Sequence, residues 1–159
     1  MSQSFDALAS EEITLAEVEG LTATEAYAIA DFGWTLLSQG RADAAAAIFE
    51  TLTISNPRHA YFHALLGSAR QRLGDSGGAL AAYDRALELD PDETGALVNS
   101  AELLLADEAC DTDRVVDLLG RTLSLDESGT RPETRRARAL IAAIAAERLA
   151  PESDGLPVV

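Results

Sequence analysis

Four stretches of the chain carry residue types that do chemistry elsewhere. His59 and His63 are four residues apart, a spacing that sets two imidazoles on one helical face as metal ligands. His59, however, falls in a turn between helical segments, and no second pair of ligands accompanies the two. His63 therefore reads as a packing residue, and no metal is expected. Cys110 is the only cysteine, which excludes an intrachain disulfide. It has no spaced His or Asp partner to make it a nucleophile and reads as a solvent-side turn residue. The turn Gly74-Asp75-Ser76-Gly77-Gly78 lacks the Gly-Lys-Ser/Thr ending and the preceding strand of a phosphate loop. Asp107, Glu108, Asp111 and Asp113 are acidic, but the glycine and terminal glutamate of a calcium loop are missing. A solvated turn is expected there. No catalytic residue, cofactor or enzymatic activity is indicated, which leaves recognition by a shaped surface.

Composition narrows the partner of that surface. The chain has 159 residues, enough for one domain, and a formal net charge of −15 from 12 basic and 27 acidic residues. Phosphate-rich partners are repelled by such a charge, so nucleic acid and anionic membranes are not expected partners. Hydrophobic residues are 47% of the chain but aromatics only 5%. Ala and Leu must fill the core, which suits closely packed helices. There is no apolar run long enough to span a membrane, and the N-terminus MSQSFDALAS has no basic segment of a signal peptide. A soluble, cytoplasmic protein is expected.

The elements follow from periodicity. In Ala60–Asp92, Tyr61, Leu65, Leu66, Ala69 and Leu73 recur at helical spacing, and so do Leu80, Tyr83, Ala86, Leu87 and Leu89. The glycine-rich turn separates the two patterns, and Pro91 closes the second. Pro57 and Pro91 are 34 residues apart, as are Gly33 and Gly67, Ala45 and Ala79, and Phe49 and Tyr83. A helix–turn–helix unit repeating every 34 residues is the signature of the tetratricopeptide repeat. Close helix contact explains the small residues, and the aromatic position is expected to fill the gap to the next repeat. The fold class is therefore all-α, with three repeats at about 24–57, 58–91 and 92–127. The third is irregular: its helices need an offset of 36, so the turn Asp107–Asp111 is longer by two residues, and Asp126-Glu127 lacks a closing proline.

Residues 1–23 precede the repeats as an arm. Its apolar residues fit either a short helix near Phe5–Glu12 or a loose segment. Thr22 or Thr24 is placed to cap the first repeat helix, with Glu25 completing a capping box. A capping helix is expected at 131–149, started by Thr130 with Glu133 and packing through Leu140, Ile141, Ile144 and Leu149. Its Arg135, Arg136, Arg138 and Arg148 make the polar face. A solenoid needs such a lid on its last repeat. Residues 150–159 read as a disordered tail.

Gly20-Leu21, Gln39-Gly40-Arg41, Ala45, Phe49 and Leu52 resemble the opening of the class II chaperones of bacterial type III secretion, the low-calcium-response chaperone family. The resemblance extends over about Leu15–Leu149: an N-terminal helix, three repeats with the third poorest, and one capping helix. It departs from the family at Leu36 and Leu37, where tyrosines are more usual, and in the longer third turn. It implies a chaperone that keeps an extended segment of a secreted translocator soluble for export. It also implies a homodimer, for which Phe5, Leu8 and Ile13 are the candidate contacts. In such repeats the first helix of each pair lines the concave groove. The repeat phase then places Tyr27, Ala30, Trp34 and Leu37 in the groove, followed by Tyr61, Ala64, Ser68 and Gln71, and by Val98, Glu102 and Leu105. Tyr27 and Trp34 alternatively pack under the arm as core. No cluster of Arg marks the groove, which argues against a clamp for an anionic C-terminus. The alternative function is a general tetratricopeptide-repeat adaptor joining partner proteins.

Overall fold

The computed structural model describes residues 20–107 and 110–149. Phe5, Leu8 and Ile13, with the rest of residues 1–19, and the tail lie outside the described residues. The described chain forms seven helices and no strand: α1 Ala23–Ser38, α2 Ala42–Ser55, α3 Ala60–Arg72, α4 Ser76–Leu89, α5 Thr94–Leu105, α6 Thr112–Ser124 and α7 Pro132–Leu149. Helices α1/α2, α3/α4 and α5/α6 are antiparallel pairs stacked in chain order, and α7 packs on α5 and α6. Among the described residues no helix is long and apolar enough to cross a membrane.

Local chemistry sets the helix ends. Thr22 caps α1 in a full capping box with Glu25. The turn inside the first pair depends on Gly40 at φ 80°, and that inside the second on Gly74 at the same angle. Arg41 N–H donates to the Leu36 carbonyl (2.9 Å) and Asp75 N–H to that of Arg70 (3.0 Å), so both helices end in a left-handed glycine cap. Acidic side chains begin the later helices: Asp75 on α4, Glu93 on α5 and Asp111 on α6. The acidic turn before α6 is thus partly a helix cap.

The close helix contacts explain the 34-residue pattern. A Cβ added to Gly33 would stand 2.6 Å from the Phe49 ring, and one added to Gly67 would stand 2.5 Å from the Tyr83 ring. Each aromatic therefore lies across the glycine of its own repeat. Each also joins the next repeat, Phe49 in a cluster with Phe62 and Leu65 of α3 and Tyr83 in one with Ala96 of α5, as the sequence pattern implies. Phe49 and Tyr83 are fully buried, and such side chains contribute about 1.5–3 kcal/mol each by burial. In the third pair Ala101 and Leu119, both fully buried, take the corresponding places.

The core is continuous along the stack. One cluster joins α1, α2 and α3, a second joins α3, α4 and α5 around Tyr83, and a third joins α5, α6 and α7. Helix α7 contributes Ala137, Leu140, Ile141 and Ile144 to the last cluster, whereas Leu149 is exposed and lies beyond the contact. The start of α7 is not organised by Thr130. The Asp126 carboxylate accepts the N–H groups of Gly129 (3.1 Å) and Arg131 (2.9 Å) and the Thr134 hydroxyl (2.9 Å). Cys110 is half-buried against the last cluster and is not a solvent-side residue.

Candidate peptide-binding groove

The first helices α1, α3 and α5 neighbour one another along one side of the stack, with α7 following. Trp34, Tyr61, Ala64, Leu65, Ser68 and Asn99 line a cavity of about 380 Å³ along this row. Glu93, Thr94 and Gly95 form its edge, and Glu133 and Arg136 of α7 close it. Trp34 is 51% exposed and Ala64 only 6%, so the indole is a wall and the alanine is floor.

A hydrogen-bonded row runs beneath and beside this cavity. Tyr83 Oη donates to Gln71 Oε1 (2.8 Å) and lies 3.4 Å from Ser68 Oγ. Asn99 Nδ2 donates to Ser68 Oγ (3.2 Å), and Arg136 Nη2 donates to Asn99 Oδ1 (2.9 Å). Arg136 also forms a two-pronged ion pair with Glu102, its Nε donating at 2.9 Å. Burial pushes the Tyr83 phenol pKa up, which keeps the hydroxyl a donor at neutral pH. The arrangement combines apolar walls with amide and hydroxyl groups on rigid helices. Such a surface accepts apolar side chains and hydrogen-bonds an extended backbone.

A second cavity, about 420 Å³, lies where the α2–α3 and α4–α5 turns meet. Tyr27, His59 and Tyr61 form one side, and Asp90, Asp92 and Glu93 another. The His59 ring stacks on Phe62 at 4.1 Å between centroids, and its Nε2 is 3.0 Å from Tyr27 Oη. Burial lowers the His59 pKa and holds the ring neutral at pH 7. His63 Nε2 instead reaches the Pro57 carbonyl at 2.9 Å. Both histidines thus hold the turn between the repeats. Among the described residues no group of three or more His, Cys, Asp or Glu side chains is arranged to hold a metal ion.

The positions assigned to the groove by repeat phase divide into four sets. Trp34, Tyr61, Ala64 and Ser68 meet in the first cavity, with Gln71 and Glu102 in the hydrogen-bonded row beside it. Tyr27 is 45% exposed and lines the second cavity, and the alternative that it and Trp34 pack under the arm concerns residues outside the described ones. Ala30, Leu37 and Val98 are buried in the helix-packing clusters and support the surface from beneath. Leu105 faces a different hollow, with Cys110, Ile144 and Arg148. Sequence phase missed Asn99, Glu93, Glu133 and Arg136. Asn99 had a signal: it stands 34 residues after Leu65, a polar residue replacing a leucine.

Known proteins share the fold. A family model described as the tetratricopeptide repeat matches residues 30–94 and 65–109, half of the chain. Among curated proteins, none matches the sequence. Several solved structures share the fold. A T3SS complex from Aeromonas hydrophila superposes with a TM-score of 0.76 at 21% identity, covering 92% of this chain and 97% of that one. The Yersinia enterocolitica type III secretion chaperone SycD, in complex with a peptide of the translocator YopD, gives 0.66 at 19% identity, covering 80% and 98%. PcrH in complex with the chaperone binding region of PopD gives 0.68 at 25% identity, covering 81% and 97%. The chain belongs to the tetratricopeptide-repeat family, and its fold is similar to that of the type III secretion translocator chaperones.

Proposed function

We propose that the protein is a non-enzymatic, cytoplasmic chaperone of type III secretion. It holds an extended apolar segment of a translocator-type client along α1, α3 and α5, and so keeps that client soluble and competent for export. The observation that carries this reading is the Trp34–Tyr61 cavity over Ala64, an open site on the first-helix row with apolar walls and a polar edge. The likeness to SycD and PcrH, each solved with a piece of a translocator, supports it. Self-association through Phe5, Leu8 and Ile13 belongs to the same proposal. Deleting residues 1–20 is expected to convert a sedimenting dimer to monomer.

The experiment is co-expression with a membrane-inserting translocator protein, followed by titration of the bound segment. Trp34→Ala should weaken binding about 30-fold, since truncating an aromatic anchor removes ~2 kcal/mol. The fold should persist by circular dichroism because the indole is outside the core. Wild-type affinity in that variant would remove Trp34 from the site. An adaptor for two folded proteins would instead leave the secreted partner insoluble and bind its extended segment no better than a scrambled one.

A further inference from the structure

The second cavity has a composition that an apolar groove does not require. We propose that it is a subsite for a basic side chain, a lysine or arginine of the bound segment, held between the Tyr27 and Tyr61 rings and the carboxylates of Asp90, Asp92 and Glu93. The inference rests on the groove reading, because Tyr61, Glu93 and Thr94 line both cavities. A segment lying along α3 and α5 therefore passes the mouth of the second one.

Three observations favour a cation. The Tyr27 and Tyr61 centroids are 6.0 Å apart with their planes tilted 36°, which offers two adjacent π faces. Three carboxylates line the cavity against one guanidinium, that of Arg58. The Tyr61 phenol is pushed up by burial first and then by Asp31 and Glu93, so the field at its hydroxyl is negative. The carboxylates are also held in place. Asp90 Oδ1 accepts Asp92 N–H at 3.0 Å and Glu93 Oε2 accepts Ala96 N–H at 2.6 Å, which leaves other lone pairs for an incoming donor.

The test uses the full chain and three small probes: the N-acetyl, N-methylamide derivatives of lysine, arginine and norleucine. Ring resonances of Tyr27, His59 and Tyr61 are followed by NMR during titration. The lysine and arginine probes should shift these signals saturably and bind at least about fivefold tighter than norleucine. Asp90→Asn with Asp92→Asn should remove that preference. Asp113→Asn with Asp117→Asn makes the same change of net charge on α6 and should leave it intact. Equal binding of norleucine, shifts spread over the whole surface, or equal effects of the two carboxylate pairs would overturn the subsite. A chaperone that holds its client with no basic preference here loses this inference and keeps the groove. A protein that binds lysine here but no translocator segment loses the groove reading instead.

Discussion

The first two helix pairs and the third solve one packing problem with different residues. In α1/α2 and α3/α4 a glycine lets an aromatic ring lie directly on the neighbouring helix. In α5/α6 the glycine becomes Ala101 and the ring becomes Leu119, both fully buried. One side chain grows as the other shrinks, so the helices remain close. The difference teaches that volume across the pair is held, rather than residue type at either position. Interiors at this packing density tolerate such compensated exchanges and resist uncompensated ones.

The severest break of the pattern is Gly67→Arg. Its Cβ alone would collide with the buried Tyr83 ring, and the longer side chain would have to leave through the helix contact. A loss of about 3 kcal/mol or more is expected, read as a lower midpoint in urea. An unchanged midpoint would mean that the ring is free to move aside.

A finer test converts one pair type into the other. Gly67→Ala alone is expected to cost about 1–3 kcal/mol by overpacking, after helix propensity returns part of the strain. Tyr83→Leu alone leaves a void and removes the hydroxyl from Gln71 and Ser68, for a loss of about 2–4 kcal/mol. Together they rebuild the Ala101/Leu119 arrangement and should cost less than their sum by about 1 kcal/mol. Strict additivity in urea melts would show that the two pairs are not equivalent. Arg136→Met is a milder change in the hydrogen-bonded row. It keeps the side-chain stem and removes a half-exposed ion pair with Glu102. A loss of about 0.5 kcal/mol is expected, because packing of Ala137, Leu140 and Ile141 fastens α7.

The helices and their period were legible because proline and glycine punctuate the chain and repeat at one offset. The inner face was legible only in part. A first helix packs against its own partner and against the next repeat, which takes Ala30, Leu37 and Val98 out of the surface. One-dimensional phase does not distinguish these from Trp34 or Ser68, since both sets share a face at helical spacing. Spacing marks Phe49 and Tyr83 as equivalent and facing the next repeat, but it does not show how closely each ring also presses on the glycine of its own pair. Arg136 reaches Asn99 and Glu102 from 37 and 34 residues away, and only the stacked pairs bring them together.

Glu93 and Asp126 extend the comparison to the helix starts, with the smallest expected effects. Both carboxylates accept backbone N–H groups where a helix begins, yet their pKa values move in opposite directions. Glu93, before α5, is raised by burial first and by Asp90 and Glu133 as well. Asp126, before α7, is lowered by the Ser128 hydroxyl first, with help from Arg131 N–H, Thr134 and Gly129 N–H. A carboxyl raised on folding binds its proton more tightly in the native state. The stability that this contributes is complete below the unfolded value of about 4.3 and is lost as pH rises through the folded value. A lowered carboxyl does the reverse: its contribution is present above the unfolded value of about 3.9 and fades as pH falls towards the folded value. Glu93→Gln should therefore raise the melting temperature at pH 7, because the amide carbonyl still caps Ala96 without a buried charge. Asp126→Asn should lower it, because the amide nitrogen cannot accept the donors that surround it. The Glu93 difference should shrink as pH falls through its raised folded value and be gone below about 4.3, whereas the Asp126 difference, of opposite sign, should begin to shrink only as pH falls below about 3.9. Shifts of the same sign at pH 7 in differential scanning calorimetry would show that burial does not separate the two caps.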